Sequence, residues 1–261
     1  MLARTLLIAS FLLCVTVSQG WAEPAAREWV DVTQYTCSSV EKRDQLVALF
    51  DAALIPALNR LGANKVGVFF TDTQTNDTVT NYNTSVFVIS SFGCLCKLAT
   101  VERGLLADEV FMKDASALFT APMKDPLFVA QKRALFRTFE ACPALLQPST
   151  SPDRLLQLRI YNSYTLERNA KKVAMFEQGG EIALFRKCGM NPAFFAEAVA
   201  GDNLPNLTYL LAFDNKAAKD AAWNTFKAHP DWLKLKADPQ YKDTANKITN
   251  IVLRPSKGSQ L

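Results

Sequence analysis

The chain has 261 residues, of which 49% are hydrophobic and 21% are charged. This composition is typical of a folded globular protein and excludes a largely disordered chain. The formal net charge is +4, and the 29 basic residues are interleaved with 25 acidic ones. Because nucleic-acid-binding proteins concentrate basic residues in a patch or stripe, we expect no nucleic acid partner.

The first 22 residues have the pattern of a secretory signal peptide. Arg4 supplies the positive start, an apolar run follows from Leu6 to Val17, and small residues precede Glu23. This pattern predicts cleavage before Glu23 and a secreted or periplasmic protein. The apolar run is shorter than the roughly 20 residues that cross a bilayer, and an uncleaved anchor is the alternative. We expect no membrane span in the mature chain.

Two copies of one element order fill the rest of the chain. Alternating apolar residues are typical of half-buried strands, and apolar residues at helical spacing are typical of helices. The first copy predicts strands at 30–35, 66–71, 85–92 and 134–139, with helices at 46–58 and 98–110. The second predicts strands at 156–161, 193–199, 207–214 and 250–255, with helices at 173–185 and 216–228. Gly62 and Gly189 follow the first helix of each copy, as expected for a helix end.

The order β-α-β-β-α-β is that of the ferredoxin-like split βαβ unit. Such a unit forms an antiparallel sheet with helices on one face, so the other face must also be covered. We expect an α+β fold, in which two ferredoxin-like repeats pack their antiparallel sheets as a pseudo-dimeric α/β-barrel. The predicted domains are the signal peptide at 1–22, a first, degenerate repeat at 23–141, a Pro- and Ser-rich linker at 142–153 and a second repeat at 154–261.

Removal of the signal peptide leaves five cysteines, which are Cys37, Cys94, Cys96, Cys142 and Cys188. Export permits disulfides, and an odd number leaves at least one thiol unpaired. Cys94 and Cys96 form a CxC motif, which is a weak metal signal without a second cysteine pair. With a single histidine in the chain, we expect no metal site. The cysteines are expected to be buried, with room for one disulfide.

Six segments of the second copy form a recognisable pattern, namely Leu158–Tyr161, Gly180–Arg186, Pro205–Phe213, Ala222–Phe226, Asp231–Trp232 and Asn250–Pro255. With these segments the second copy resembles a NIPSNAP domain. The first copy looks like its degenerate partner, since it keeps Pro56–Gly62 and Val66–Phe69. It departs from the pattern with Thr33 at the place of Arg159 and Val101 at the place of Trp223.

The resemblance implies a dimeric α/β-barrel architecture and allows a homodimer. Animal members of the family look like mitochondrial and vesicle-associated interaction proteins, whereas similar barrels include cofactor-independent monooxygenases and haem enzymes. A fold does not determine a function, so the resemblance implies no particular reaction. The export signal departs from the mitochondrial members and puts their partners in doubt.

The main candidate site lies on the first strand of the second repeat. Arg159 and Tyr161 are two residues apart, so their side chains share one face of the strand. If that face lines a cavity, they could bind a carboxylate or a phenolate. Tyr209 joins them if the register of the third strand matches. The alternatives are an ordinary surface ion pair for Arg159 and core packing for the tyrosines.

His229 and Trp223 are weaker candidates. His229 could act as a general base or a haem ligand, but it precedes a proline at a predicted helix end. No nucleophile elbow, Walker loop or dinucleotide motif is present in the sequence. We therefore expect a binding protein without a cofactor, whose partner is an unidentified protein or a small apolar ligand. The alternative is a cofactor-independent monooxygenase or another small-molecule enzyme of the barrel class.

Overall fold

The computed structural model describes residues 26–71 and 82–261, so the predicted signal peptide lies outside the described residues. The first repeat contains the elements β1 Trp29–Thr36, α1 Val40–Leu49, a π-helical turn Phe50–Leu54, α2 Ile55–Arg60, β2 Lys65–Phe70, β3 Ser85–Phe92, α3 Leu95–Ala107, α4 Glu109–Asp114, α5 Ser116–Thr120 and β4 Ala130–Thr138. The second repeat contains β5 Leu155–Asn162, α6 Leu166–Glu177, α7 Glu181–Lys187, β6 Asn191–Ala200, β7 Asn206–Phe213, α8 Lys216–Ala228, α9 Pro230–Ala237 and β8 Lys247–Pro255. Both repeats follow the predicted order β-α-β-β-α-β.

The eight strands close into one barrel in the order β1-β3-β2-β8-β5-β7-β6-β4. All paired neighbours are antiparallel. The pairs β2–β8 and β4–β6 join the sheet of one repeat to the sheet of the other. The structure thus confirms the predicted α+β fold and its α/β-barrel.

Strand alternation divides the side chains between the barrel interior and the helix-covered outer faces. The interior is filled by apolar residues from both repeats, including Val30, Phe136, Leu156, Leu158 and Leu210. The intervening residues of each strand point outward, where the helices of their own repeat cover them in two separate cores. Among the described residues, no helix has both the length and the apolar character that a bilayer crossing requires.

The first helix of each repeat is interrupted, whereas the sequence predicted it as continuous. In the first repeat the interruption is the π-helical turn Phe50–Leu54. In the second repeat it is Gly179 and Gly180, and Gly180 adopts φ +81°. Each helix still ends at the predicted glycine, with φ +89° at Gly62 and +79° at Gly189, a conformation that glycine adopts without steric cost.

The predicted linker, residues 142–153, contains no helix or named strand but lies against the barrel. Leu145 is buried in the barrel interior, and Cys142 is buried in the outer core of the second repeat. The Ser149 hydroxyl donates a hydrogen bond of 2.6 Å to Asp214, just after β7. This segment is therefore packed against the barrel interior and against the outer core of the second repeat.

Candidate functional site

A cavity of about 820 Å³ lies between the outer sheet face of the second repeat and its helices. Its sheet wall is made by Gln157, Arg159 and Tyr161 of β5. These three residues alternate with Leu156 and Leu158, which point into the barrel. Alternate residues of β5 face opposite sides of the sheet, so the leucines point into the barrel and the polar side chains point toward this cavity.

Arg159 is a half-buried cation without a carboxylate partner. Its Nη2 donates a hydrogen bond of 2.9 Å to the Tyr161 hydroxyl, while its buried Nε–H has no hydrogen-bond partner. The guanidinium carbon lies 4.7 Å from the ring centre of Trp223. Among the described residues, no acidic side chain approaches Arg159 within 4 Å. Burial acts to lower the pKa of Arg159, but Tyr209, Tyr161 and the Glu181 carboxylate together outweigh it and raise that pKa, so the group is charged.

Tyr161 and Tyr209 form a hydroxyl pair next to this guanidinium. Their oxygens are 3.2 Å apart, and their rings stack with centres 5.6 Å apart. Tyr209 is fully buried and lies directly opposite Arg159 in the β5–β7 pairing. Burial raises the pKa of Tyr209 well above its ordinary value, so this hydroxyl is a neutral phenol at physiological pH. The structure thus brings all three residues of the main candidate site together, but Tyr209 packs in the core and does not line the cavity.

A buried ion pair between α6 and α7 adds a second charged group. Lys172 Nζ lies 3.4 Å from Glu181 Oε2, and both side chains are almost fully buried. The same ammonium lies over the rings of Tyr161 and Phe176, at 5.2 and 4.7 Å from their centres. Burial raises the pKa of Glu181, and Lys172 opposes this shift. Both side chains line the cavity.

A chain of neutral hydrogen bonds crosses the sheet wall. Trp223 Nε1–H donates to Gln157 Oε1, and Gln157 Nε2–H donates to Asn250 Oδ1, each at 2.6 Å. Sequence reasoning proposed only Trp223 from this group. Gln157 could have been found from its strand period, because it lies two residues before Arg159.

Lys172 and Glu181 were also missed by sequence reasoning. Charged residues on a helix are usually solvated, so their buried placement carries no clear sequence signal. The only sequence sign is that they share helices with the predicted core residues Val173 and Ile182.

His229 lies outside this cavity. It is the N-cap of α9, where its Nδ1 accepts a hydrogen bond of 3.1 Å from the backbone N–H of Asp231. His229 therefore lies at a helix end, as the following proline suggested, and not in the candidate site. Trp232, which follows it, packs on Phe226 with ring centres 4.5 Å apart.

The cysteines fall into two groups. Within the described residues, no three metal-ligating side chains cluster. The sulfurs of Cys94 and Cys96 are at bonding distance and form a disulfide. Cys37, Cys142 and Cys188 are free and buried, as expected.

Residues 156–260 match the NIPSNAP family model. This match defines the NIPSNAP domain of the chain, residues 156–260. A NIPSNAP-like domain protein from Burkholderia xenovorans is 18% identical, and the alignment covers 42% of this chain and 90% of that one with a TM-score of 0.37. A search of the curated proteins finds no match.

Two solved structures align with both repeats. A provisionally named monooxygenase from Lactobacillus acidophilus NCFM is 11% identical, with 88% of this chain and 94% of that chain covered and a TM-score of 0.56. A second one, from Fusobacterium nucleatum, is 6% identical, with 88% and 93% covered and a TM-score of 0.58. At these identities the likeness shows the fold alone: the NIPSNAP domain and the first repeat together form a whole barrel of this kind.

Strand register identifies the first-repeat counterparts of the site residues. Arg159 of the NIPSNAP domain is paired with Tyr209 and Asn250, and Thr33 is paired in the same way with Val88 and Arg133. Thr33 therefore occupies the place of Arg159, as the sequence predicted.

The predicted counterpart of Trp223 is wrong by one residue. The helices α3 and α8 begin at the N-caps Cys94 and Asn215 and have equal lengths of 13 residues. Counting from these caps places Glu102, not Val101, at the position of Trp223. Val101 instead matches Ala222, and both are buried.

Proposed function

We propose that the protein is exported and that its NIPSNAP domain binds a small organic anion, a carboxylate or a phenolate, in the Arg159 cavity. One observation carries this proposal: the charged Arg159 lines the cavity without a carboxylate partner within 4 Å among the described residues, and its buried Nε–H is unpaired. A buried charge is costly when it is unpaired, and an anionic ligand would remove that cost.

The shape of the guanidinium supports a carboxylate or phenolate in particular. Arginine presents a planar set of donors that matches such oxygen acceptors and can engage a carboxylate with two hydrogen bonds. Tyr161 is already oriented by Arg159 and lies at the same wall. The charged and polar side chains of the cavity favour an anion over the purely apolar ligand considered from the sequence.

The size and the aromatic walls of the cavity support a small aromatic compound. Its volume of about 820 Å³ lies within the range of small-molecule sites, roughly 300–1,000 Å³. Trp223, Phe185 and Tyr161 supply aromatic surfaces on which a ring could pack. Export is supported by the signal-peptide pattern of residues 1–22 alone.

The test compares two ligands of equal shape, benzoate and benzamide, by isothermal titration calorimetry. We expect benzoate to bind and benzamide to bind much more weakly. Arg159→Met should weaken benzoate binding about 10- to 100-fold, as expected for the loss of a charge-assisted hydrogen bond worth roughly 1.5–3 kcal/mol.

The matched control is Thr33→Val, at the corresponding position of the first repeat, which should leave benzoate binding unchanged. Equal binding of benzoate and benzamide, or unchanged binding by the Arg159→Met variant, would contradict the anion site. Native mass spectrometry of the purified protein offers a second measurement, because a ligand retained through Arg159 should be lost in the same variant.

A second candidate function is a cofactor-independent monooxygenase that oxidises a phenolate bound in the same cavity with dioxygen. The Tyr161 hydroxyl beside Arg159 favours it, since both groups line the cavity and could hold a phenolate oxygen. Two of the neighbours that span both repeats are provisionally named monooxygenases. An oxygen electrode would test it: phenol-dependent consumption of dioxygen that Tyr161→Phe slows is expected, and no consumption would leave binding as the function.

A further inference from the structure

The disulfide of Cys94 and Cys96 lies at the N-terminus of α3, outside the cavity. Cys94 is the N-cap residue, and its sulfur accepts a hydrogen bond of 3.1 Å from the backbone N–H of Cys96. Cys96 and the preceding Gly93 are exposed, and nothing approaches within 4 Å of where a Cβ on Gly93 would stand. The disulfide is therefore open to a reactant from solution.

This disulfide contributes little to the stability of the fold. It closes a loop over a sequence separation of only two residues, and a disulfide stabilises less when the loop that it closes is shorter. The corresponding helix α8 of the NIPSNAP domain begins at Asn215, whose side chain accepts from Ala218, and it has the same length without any cysteine. The same helix start therefore forms with an ordinary Asn cap.

We propose that Cys94 and Cys96 form a redox-active site that exchanges its disulfide with thiols. A substrate thiolate attacks the exposed Cys96 sulfur and forms a mixed disulfide, while the electron pair of the broken S–S bond goes to Cys94. A second substrate thiolate then attacks the substrate sulfur of the mixed disulfide and releases Cys96. The two substrate thiols become one disulfide, and the protein gains two electrons as a dithiol.

The helix N-terminus favours this direction of attack. Its backbone N–H groups and dipole stabilise negative charge, so Cys94 is the better leaving group. The Cys96 N–H already points at the sulfur that would become the thiolate. Lys97, the next residue, adds a positive charge to the same turn.

The other described cysteines do not compete for this role. Cys37, Cys142 and Cys188 are buried, and they are distributed over both repeats. Burial raises the pKa of the Cys37 thiol to about 11 and also raises the pKa of Cys142 and Cys188. These three groups therefore stay protonated thiols that are shielded from solvent, whereas Cys96 is accessible.

The first measurement equilibrates the purified protein with reduced and oxidised glutathione at a series of ratios. Free thiols are then blocked with N-ethylmaleimide, and the peptide that contains residues 94 and 96 is weighed. We expect the pair to pass from disulfide to dithiol within the series, with the thermal unfolding midpoint unchanged. A disulfide that resists every ratio, or a midpoint that falls on reduction, would identify a structural bond and overturn the proposal.

The second measurement follows the oxidation of a two-cysteine peptide by oxidised glutathione. The wild-type protein should accelerate it, and both C94N and C96A should return it to the uncatalysed rate. These substitutions introduce the residues that α8 has at the same positions, Asn215 and Ala217, so both variants should fold like the wild type. An unchanged rate in either variant, or no acceleration by the wild type, would overturn the proposal.

Discussion

The outer sheet face carries an ionic cluster in the first repeat and a neutral one in the NIPSNAP domain. In the first repeat, Arg133 binds the buried carboxylate of Asp31 at 2.8 Å and the exposed Glu102 at 2.7 Å. The corresponding positions in the NIPSNAP domain hold Asn250, Gln157 and Trp223, which are joined by two hydrogen bonds. The same three places on the fold thus hold opposite kinds of polar chemistry.

The neighbouring position on the same strand differs in the other direction: the NIPSNAP domain has the charged Arg159 and the first repeat has the neutral Thr33. In the first repeat, Tyr35 packs against Phe50 and Phe128 with ring centres about 5 Å apart, and the cation has two acidic partners. In the NIPSNAP domain the cation is Arg159 instead, and Gln157 stands at the position of the carboxylate Asp31. The comparison teaches that a carboxylate on a neighbouring strand can neutralise an arginine in this fold, as Asp31 does for Arg133. Among the described strands of the NIPSNAP domain, none supplies such a carboxylate to Arg159.

The helices show the reverse contrast, with the charged pair in the NIPSNAP domain. The N-caps Ser39 and Thr165 place Leu46 at the position of Lys172, and the matching helix ends at Leu61 and Cys188 place Leu54 at the position of Glu181. The first repeat therefore has two leucines where the NIPSNAP domain has a buried ion pair. An ion pair is weak evidence for stability, because desolvation opposes it.

The largest expected effect comes from breaking this ion pair alone. Lys172→Leu leaves the Glu181 carboxylate buried without its partner, which typically costs about 3–5 kcal/mol of unfolding free energy. Urea unfolding at neutral pH measures it. The double variant Lys172→Leu/Glu181→Leu copies the first repeat and should recover most of the loss. A double variant as unstable as the single one would contradict the comparison.

The same variant should depend on pH with a definite sign. The pKa of Glu181 is already raised in the folded state, and loss of Lys172 raises it further. A carboxyl group whose folded pKa is raised contributes stability while it is protonated, and that contribution is lost as the pH rises from the ordinary glutamate range. The deficit of Lys172→Leu should therefore be smaller near pH 5 than near pH 8, and an equal deficit would exclude titration of Glu181 as its cause.

The ionic and neutral clusters should differ in the cost of losing one member. Arg133→Met leaves the buried Asp31 without its cation and should cost about 1–3 kcal/mol, whereas Asn250→Ala removes one neutral hydrogen bond and should cost about 1 kcal/mol. The pKa of Asp31 is raised by burial although Arg133 opposes it, so Arg133→Met should lose stability as the pH rises above the ordinary aspartate range. Glu102→Ala, at the exposed end, is the control and should cost less than about 1 kcal/mol. Equal costs for the two clusters would remove the contrast.

The sequence was sufficient for the element order and for the shared strand face of Arg159 and Tyr161. Strand period and the repeat determine both, because they fix which side chains share a face. The place of Tyr209 beside them depends on the register of β7, which the sequence left open. It was not sufficient for the helix details. A one-residue shift in helix start moved the counterpart of Trp223 from Val101 to Glu102, and nothing local in the sequence marks that start as strongly as Asn215 marks it in α8. Lys172 and Glu181 were missed because only tertiary packing buries them.

The last expected effect concerns a feature that the two repeats share. Gly62 and Gly189 end the first helix of each repeat with positive φ, which costs other residues about 1–2 kcal/mol. Gly189→Ala should show this cost alone, since nothing lies within 4 Å of the added Cβ, whereas Gly62→Ala must also displace the flexible end of Lys97 at 3.0 Å. Gly93→Ala, where the space is equally open and φ is not positive, is the control and should be neutral or slightly stabilising. Thermal unfolding of the three variants separates backbone strain from side-chain crowding. A Gly189→Ala variant as stable as Gly93→Ala would show that the helix end of the NIPSNAP domain does not require the left-handed conformation. The requirement for glycine at the helix end would then apply to the first repeat alone.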